Sequence, residues 1–568
     1  MFPEISALAM EALRERFPGA ADAVKDVPWE RPAEAAHGDI TTNVALRLAK
    51  AAGAKPVEIA RVIADALARA SGVVERAEVA GPGYVNVWLT PSTLLGALAQ
   101  TRIACTPAVR REGEKPVIVE YSQPNIAKPL GVHHIIGTVV GQAVANLYRH
   151  AGYTVICWNY IGDWGTQFGK LAVAYKRWGA GKPVKDCTID DLLDLYVRFH
   201  KEVDASPELE DEGRAAFKAL EQGDQELRAF WTDVVAVTKA SLGALYERLH
   251  VSFDLDLGES FYEDKMQPVI DAGMASGVFH EGDGGALIAE FSAESALPPF
   301  MIRKSDGATL YSTRDLAQMR YRIDTYQPQS ILIFTDIAQK LHFEQLEATC
   351  RQLGWTLPHF ENVLFGRMRF ADQKMSTRKG TVMKLEHVVD EAVARATAII
   401  DERGEAIQTD DAAALAEMMG SGALVYGILS QNRKMDIVFD WDKFLTFEGN
   451  SAPYLQYTHA RASSVLRKAE SQGALEANGA LGASDRALVS MLLQFPAALD
   501  AARTEHLPHK LAHYLYELCQ HFNAFYNASP ILKASAAERD LRLGLTALTA
   551  SVLKTGAELL TLRVPDRM

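Results

Sequence analysis

The sequence has little cysteine and no long apolar run, and both absences exclude classes of protein. Its 568 residues include only five cysteines, which are scattered along the chain and never stand at zinc-ligand spacing. An odd number of cysteines at scattered positions argues against both a disulfide framework and a structural zinc site. No stretch approaches the roughly 18 uninterrupted apolar residues of a membrane span, and the N-terminus lacks the basic-then-apolar order of a signal peptide. We therefore expect a cytoplasmic protein without membrane contact.

Length and charge set further bounds. A hydrophobic fraction of 48% and a charged fraction of 23% are typical of globular proteins, but single cores stop growing near roughly 250–300 residues, so we expect about three domains. The net charge of -13 resides in the middle of the chain, and both ends are nearly neutral. The net negative charge of the protein repels a polyanion at long range. A polyanion would therefore bind one of the two ends through local positively charged patches.

Hydrophobic periodicity divides the chain into three predicted domains. Residues 1–108 combine helices with a strand pair joined by Gly-Pro-Gly, which predicts a small α+β domain. Residues 109–385 alternate strand and helix, which predicts a Rossmann-like, doubly wound parallel sheet with an insertion at about 172–300. Residues 386–568 are almost entirely of helical period and predict an all-α C-terminal bundle.

The segment most suggestive of chemistry is EYSQPNIAKPLGVHHIIGTVVGQ, beginning at residue 120. It runs from a strand end through a polar loop to paired histidines at a helix N-terminus. A helix N-terminus at the carboxyl end of a parallel strand is a favourable place for a bound anion. On its own, however, such a histidine pair is more often a surface or capping feature.

A second segment, FGRMRFADQKMSTRKGTVMKL at 365–385, places three cations with Ser376, Thr377 and Gly380 in a short loop after a strand. Alone, this loop would be a solvated turn. Together with the first segment it predicts two phosphate-binding elements in one domain.

The two segments resemble the His-x-Gly-His and Lys-Met-Ser-Lys-Ser signatures of class I aminoacyl-tRNA synthetases. The closer resemblance is to arginyl-tRNA synthetases, and it covers nearly the full chain. It is carried by HGDITTNVALRLAK, GPGYVNVWL, SQPNIAKP, GDWGTQFGKL, LYSTRDLA, KMSTRKG, FEGNSAPYLQYTHARASSVLRK and the terminal VPDRM.

The resemblance implies two steps: the arginine carboxylate attacks the α-phosphate of ATP, and the arginyl group then passes to the tRNA 3′ end. Alignment and charge neutralisation suffice for the first step, so no protein nucleophile is needed. The residues implied for catalysis are Lys128, His133, His134 and Lys374. Those implied for ATP binding are Gly131, His134, Gly366, Met368, Lys374 and Ser376.

A guanidinium is a rigid fork of five donors, so its pocket requires well-placed acceptors. By resemblance, the residues that bind arginine are Glu120, Ser122, Asn125, Tyr311, Asp315 and Gln339. A pocket of this kind would discriminate against lysine without a separate editing site. For Asp315, a helix-surface acid paired with a neighbouring arginine is the alternative.

The two ends of the chain would bind tRNA(Arg), if the resemblance holds. The candidate residues are Asn43, Tyr84, Asn86, Tyr454, Tyr457, His459 and Arg461. Aromatic side chains with arginine suit stacking on unpaired bases, although a packed core stripe is the alternative for the C-terminal helix. Mg²⁺ would arrive with ATP, no structural metal is predicted, and the family suggests a monomer.

The first signature departs from its pattern, because residues 131–134 read Gly-Val-His-His. Adjacent helical residues lie about 100° apart, so two adjacent histidines cannot present their rings as the family pair does. Either His133 enters the site from a non-helical position, with the nucleotide over Gly131, or one phosphate donor is absent; we expect the first. A non-catalytic tRNA- or partner-binding relative, or a class I ligase of another specificity, stays open as an alternative.

Overall fold

The structure is a computed structural model that describes residues 2–32, 34–282, 284–370, 383–404, 407–476 and 481–568. The N-terminal part packs helices on a three-stranded antiparallel sheet of order β1-β3-β2. Its elements are α1 (Pro3–Arg16), α2 (Pro18–Ala21), β1 (Ile40–Thr42), α3 (Val44–Ala52), α4 (Pro56–Ala68), β2 (Val74–Ala80), β3 (Tyr84–Leu89) and α5 (Pro91–Ala104). The strand pair predicted around Gly-Pro-Gly is the β2–β3 hairpin, in which Ala80 pairs with Tyr84.

A four-stranded parallel sheet of order β10-β9-β4-β5 forms the centre of the middle part. Its elements are β4 (Val117–Glu120), α6 (His134–His150), β5 (Val155–Trp158), α7 (Thr166–Trp178), α12 (Tyr311–Tyr326), β9 (Ser330–Asp336), α13 (Lys340–Gln352) and β10 (His359–Phe365). The strand order reverses between β4 and β9, and ligands of open α/β sheets bind at the carboxyl ends of strands at such a point. The predicted doubly wound sheet is confirmed.

The insertion before α12 contains helices and a second, antiparallel sheet of order β6-β7-β8. Its elements are α8 (Ile189–Val203), α9 (Glu208–Glu221), α10 (Gln225–Arg248), α11 (Glu263–Ala275), β6 (Phe279–Glu281), β7 (Leu287–Ala289) and β8 (Phe300–Arg303). The sequence did not indicate these strands, because three or four residues are too few to show an alternating pattern.

The C-terminal part is a helical bundle, as predicted. Its helices are α14 (Leu385–Arg403), α15 (Ala412–Leu429), α16 (Trp441–Phe444), α17 (Ala452–Ala469), α18 (Ala483–Leu492), α19 (Phe495–Thr504), α20 (Pro508–Ala528) and α21 (Ala536–Leu559). One short strand, β12 (Ile437–Phe439), pairs in parallel with β11 (Met368–Phe370), which ties this part to the sheet domain. Helix α15 is long and apolar enough to cross a membrane, but 72% of it is buried, as in a core helix.

Helix α6 carries the paired histidines at its start and crosses the centre of the molecule. Nearly all of its residues from Ile135 to Leu147 are buried. Gly141 lets the helix approach the end of β4, because a Cβ there would lie 2.3 Å from the Tyr121 side chain. The close packing fixes the helix N-terminus against the carboxyl ends of the strands.

The two ends of the chain are in contact. Arg486 of α18 donates to Asp39 at 2.5 Å and to Glu75 at 2.8 Å, both in the N-terminal part. Asp39 is 5% exposed and also accepts a hydrogen bond from the backbone N–H of Leu89. Burial raises the pKa of Asp39, and Arg486 counteracts that rise.

Candidate active site

The loop after β4 is shaped by unusual backbone conformations. Ser122, Gln123 and Ala127 all have positive φ, at 76°, 52° and 61°. Non-glycine residues rarely adopt this region, and clusters of such residues mark sites where backbone geometry is functionally constrained. The loop is held against the segment after β5, because Ile126 N donates to Gly162 O at 3.2 Å and Gly162 N to Pro124 O at 2.9 Å. Asn125 remains exposed at this edge.

The two signature segments meet through their backbones. Val132 N donates to Met383 O at 2.8 Å, and Leu385 N donates to Leu130 O at 2.8 Å, so Gly131 pairs with Lys384 in an antiparallel bridge. The loop that contains Lys374 and Ser376 lies outside the described residues. Its C-terminal flank is nevertheless joined to the first signature.

The histidine pair lies at the start of α6. His133 has helical dihedrals, with φ -66° and ψ -23°, and the helix begins at the next residue. The rings of His133 and His134 still lie side by side, with centroids 4.1 Å apart. His133 therefore lies before the helix, as expected, although its backbone has helix-like dihedrals, and the two adjacent rings are still close together.

His134 is anchored by the residue that replaces the family's first histidine. Its Nδ1 lies 3.1 Å from both the backbone N and the backbone O of Gly131. Burial, together with the neighbouring His133, lowers the pKa of His134 to about 4. Burial also lowers the pKa of His133, against the opposing effect of Asp336 at the end of β9. Both rings are therefore neutral at pH 7.

Three other residues expected around ATP, Lys128, Gly366 and Met368, are among the described residues. Lys128 is exposed, and its Nζ lies 4.7 Å from the centre of the Tyr196 ring on α8. Gly366 comes directly after β10 and packs tightly against the C-terminal part of the chain. A Cβ at this position would lie 2.2 Å from Met435 O. Met368 begins β11 and is half-buried.

Residues at the starts of two helices form one wall of the site. Tyr311 begins α12 and Asp315 lies one turn later, and Gln339 immediately precedes α13. Asp315 Oδ2 is 2.6 Å from Nε2 of His342, and the ring centroids of Tyr311 and His342 are 4.9 Å apart. Tyr311 and Gln339 are exposed, whereas Asp315 is 9% exposed. The structure therefore brings two of the six residues expected to bind arginine, Tyr311 and Asp315, together around His342, and Gln339 lies one helical turn before His342.

Glu120 differs from the others because it already has a guanidinium partner within the chain. Its carboxylate is ion-paired with Arg322 of α12, and it accepts from Gln123 Nε2 at 2.6 Å. Glu120 and Arg322 are 1% and 0% exposed. Arg322 also stacks on Trp158, with 4.3 Å from Cζ to the ring centroid.

Ser122 is likewise engaged inside the protein. Its hydroxyl lies 2.7 Å from the Tyr246 hydroxyl of α10 and accepts from Thr138 Oγ1 at 2.9 Å. Ser122 is 8% exposed. Its side chain links the β4 loop to α6 and to the insertion.

Glu259, which the sequence reasoning missed, contributes a second carboxylate near Asp315. It opens the short 3-10 helix Glu259–Tyr262, which lies between α10 and α11. Burial raises the pKa of Glu259 to about 7, with Asp315 and Asp163 acting in the same direction and Arg314 opposing them. Its GESFY context has no periodic or metal-type spacing, so only the fold reveals that it lies near Asp315.

Two of the three N-terminal residues expected at a tRNA surface are accessible. Tyr84 is 40% exposed, and Asn43, before α3, is partly exposed. Asn86 is 6% exposed and accepts a 2.8 Å hydrogen bond from the Thr41 hydroxyl. Its side-chain amide thus bonds across the sheet to β1.

The C-terminal residues are arranged around a cleft of about 590 Å³ between α17, α20 and the chain end. Arg461 lies between two aromatic rings, 4.7 Å from Tyr457 and 5.1 Å from Tyr526, and Lys468 and Lys533 also line the cleft. Tyr454 is adjacent, accepting from Asn523 at 3.0 Å. His459 is the exception: it is 3% exposed and 2.9 Å from Pro565 O, so it faces the interior.

Over the described ranges, no group of three or more His, Cys, Asp or Glu side chains is placed to hold a metal ion. All five cysteines are free thiols.

Comparison with known proteins defines the class first. A family model described as the catalytic domain of class I (R) tRNA synthetases matches residues 96–441. Models of the arginyl tRNA synthetase N-terminal domain and the DALR anticodon-binding domain match residues 4–89 and 455–568. The sheet domain is thus the catalytic domain of a class I aminoacyl-tRNA synthetase.

Individual relatives narrow this to one family. The chain is 37% identical to the arginine–tRNA ligase of Fusobacterium nucleatum over 94% of this chain and 93% of that protein. It is 39% identical to that of Exiguobacterium sibiricum over 95% of each. The arginyl-tRNA synthetase structure of Thermus thermophilus matches over 100% of both chains with a TM-score of 0.79 and 26% identity. The chain belongs to the arginyl-tRNA synthetase family, whose members are arginine–tRNA ligases.

Proposed function

We propose that this chain joins L-arginine to tRNA(Arg) through arginyl-adenylate, with α12 and α13 binding arginine and the joined signatures binding ATP. The observation that carries the proposal is the meeting of the two signature segments at Gly131 and Lys384. That junction lies beside the strand-order reversal, where ligands of open α/β sheets bind. The non-catalytic alternative gains no support from the comparisons.

The ATP side of the site would act through neutral and cationic donors. Nδ1 of His134 accepts the Gly131 N–H at 3.1 Å, which leaves Nε2–H to donate to a phosphate. His133 lies beside it, and Lys128 and Lys374 supply positive charge. Donors held in place before the reaction stabilise charge that develops in the transition state, and losing one costs about 3–4 kcal/mol. Mg²⁺ would enter with ATP and neutralise further phosphate charge.

The arginine side would use Asp315 as the principal acceptor, with Glu259 as a second carboxylate and Tyr311, Gln339 and Asn125 around them. Glu120 and Ser122 contribute differently from the expectation. Since Glu120 is paired with Arg322 and Ser122 with Tyr246, both would fix the shape of the pocket. Lysine would leave acceptors unpaired, which is the costly kind of mismatch for a buried site.

The tRNA would lie along the N-terminal and C-terminal parts of the protein. The aromatic, cationic cleft around Arg461 suits unpaired anticodon bases, because every base can stack on an aromatic ring. Tyr84 and Asn43 would contact the tRNA corner. We also propose that the protein acts as a cytoplasmic monomer, which size-exclusion chromatography with light scattering and cell fractionation would test.

The decisive experiment is ATP–pyrophosphate exchange with each of the twenty amino acids, with and without tRNA(Arg). We expect exchange with arginine alone, and only when tRNA is present. Exchange with another amino acid would overturn the specificity. Exchange with arginine in tRNA-free protein would overturn the tRNA requirement, and no exchange under any condition would favour the non-catalytic reading.

A further inference from the structure

His342 is a largely buried polar side chain that neither the sequence motifs nor the family comparisons single out. It lies on the first turn of α13, one helical turn after Gln339. Its Nε2 is 2.6 Å from Asp315 Oδ2, and the two side chains are only 11% and 12% exposed. This hydrogen bond joins the starts of α12 and α13, which are the two parts of the proposed arginine wall.

The imidazole is itself held in place by aromatic side chains. Its centroid lies 5.4 Å from that of Phe300, 4.9 Å from Tyr311 and 5.2 Å from Phe343. Rings at these separations pack favourably and restrict rotation. The Nε2–H group is therefore a fixed donor that points at one oxygen of Asp315.

A fixed donor matters here because an aspartate carboxylate rotates easily about its last torsion. A guanidinium fork recognises a carboxylate only when both planes are aligned. Within the described part of the chain, Oδ2 of Asp315 accepts from His342, while Oδ1 accepts no hydrogen bond. The bond to His342 thus sets the carboxylate plane and leaves Oδ1 for a ligand.

We propose that His342 is a positioning and specificity-determining residue, which orients Asp315 so that its carboxylate accepts the arginine guanidinium in one geometry. This inference rests on the proposed assignment of Asp315 to arginine binding. His342 does not contact the reacting phosphate or carboxylate, so its effect falls on arginine recognition and leaves the chemical step intact.

The test compares two replacements of His342 by tRNA-dependent aminoacylation and pyrophosphate exchange. His342→Phe keeps a ring of similar size in the aromatic cluster but removes the donor. His342→Gln keeps a side-chain N–H near the position of Nε2. Since a hydrogen bond to a charged group is among the stronger kinds, we expect His342→Phe to raise the KM for arginine about tenfold or more.

Three further results are expected. The KM for ATP and kcat stay within about twofold of the unmodified protein. His342→Gln recovers most of the loss, and the preference for arginine over canavanine and citrulline narrows in His342→Phe. His359→Phe, the same change at an exposed histidine of β10, is the matched control and leaves all constants unchanged.

Two outcomes would overturn the inference. One is an unchanged arginine KM in His342→Phe. The other is a loss in His342→Gln as large as in His342→Phe, because that would assign the histidine to packing alone. Asp315→Asn separates this inference from the proposed function. If Asp315→Asn leaves the arginine KM unchanged, the pocket assignment itself is wrong; if it raises the KM while His342→Phe does not, only the role of His342 fails.

Discussion

The ammonium group of Lys128 lies over the ring of Tyr196, with 4.7 Å between Nζ and the ring centroid. Lys128 belongs to the first signature segment, whereas Tyr196 belongs to helix α8 of the insertion. A second contact with the same helix is a salt bridge, in which Lys384 lies 2.5 Å from Asp190 of α8. The insertion thus touches both segments that surround the proposed ATP site.

The first prediction concerns this contact. Tyr196→Leu removes the ring that holds Lys128 and should raise the KM for ATP by roughly two- to fivefold, the size of an exposed cation–π interaction. Tyr196→Phe retains the ring and should behave as the unmodified protein. Pyrophosphate exchange at saturating arginine and tRNA measures the change. An equal rise in both variants would show that the hydroxyl matters and the ring does not.

The second prediction concerns the histidine pair. His133→Ala and His134→Ala should each lower kcat for activation by roughly tenfold or more, since each removes a donor near the phosphates. Single-turnover measurement of adenylate formation gives the rate constant of the activation step apart from product release. If His133→Ala has full activity, His133 is a bystander and His134 acts without it.

The third prediction concerns pH and Glu259. Because its pKa is raised to about 7, Glu259 is largely protonated at pH 6 and ionised at pH 8, and only the ionised form attracts a guanidinium. Arginine binding should therefore tighten from pH 6 to pH 8 and release a proton near pH 7. Calorimetry in two buffers of different ionisation enthalpy measures the proton, and Glu259→Gln should abolish its release.

The same raised pKa has the opposite consequence for folding. Between pH 4.5 and about 7 the folded state binds a proton at Glu259 that the unfolded state has lost. The contribution of this group to stability is therefore fully present below pH 4.5 and is lost as pH rises through 7. Melting curves of Glu259→Gln should lack this part of the pH dependence.

The fourth prediction concerns the buried pair of Glu120 and Arg322. Arg322→Met leaves a buried carboxylate without its cation and should destabilise the fold by about 3–5 kcal/mol. The double variant Glu120→Gln with Arg322→Met should recover much of this loss, as seen in the apparent melting temperature. If the single variant melts like the unmodified protein, the pair does not carry this energy.

The fifth prediction concerns the C-terminal cleft. Arg461→Ala removes the cation between Tyr457 and Tyr526 and should raise the KM for tRNA(Arg) about tenfold, given roughly 1–3 kcal/mol per stacked base. The KM for arginine should not change. Arg198→Ala, at an exposed arginine of α8, is the matched control. If Arg461→Ala lowers only the yield of folded protein and leaves the KM for tRNA(Arg) unchanged, Arg461 contributes to folding and not to tRNA binding.

Much of the fold could be predicted from the sequence, because strands such as Ser330–Asp336 are continuous apolar runs and helices such as α4 have a clear period. The short strands β6, β7, β8 and β12 could not be predicted, since their pairing depends on partners that the local pattern does not contain. Three contacts between the domains could not be predicted for the same reason. They are made by Arg486, by Gly366 and by strand β12 with residues far away in sequence.

The candidate site was less predictable than the fold. Motifs indicate Asp315 and Tyr311, but the partner of Glu120 is 202 residues away in sequence, and no spacing rule connects the two. Glu259 and His342 could not be inferred from motifs either, because only the fold brings them close to Asp315. Single residues can be inferred from motifs, whereas the pairing that decides their charge and orientation arises from the fold.

The backbone bridge between residues 130–132 and 383–385 has a mechanical consequence. It consists of two main-chain hydrogen bonds, so its strength does not depend on which side chain occupies position 131. Helix α14 starts at the bridge and packs along α15, and this helical pair continues toward the anticodon-binding domain. A displacement of α14 must therefore either break the bridge or carry the start of α6, with both histidines, along with it. The proposed ATP site and the helices that lead to the anticodon-binding domain are thus joined through one backbone bridge.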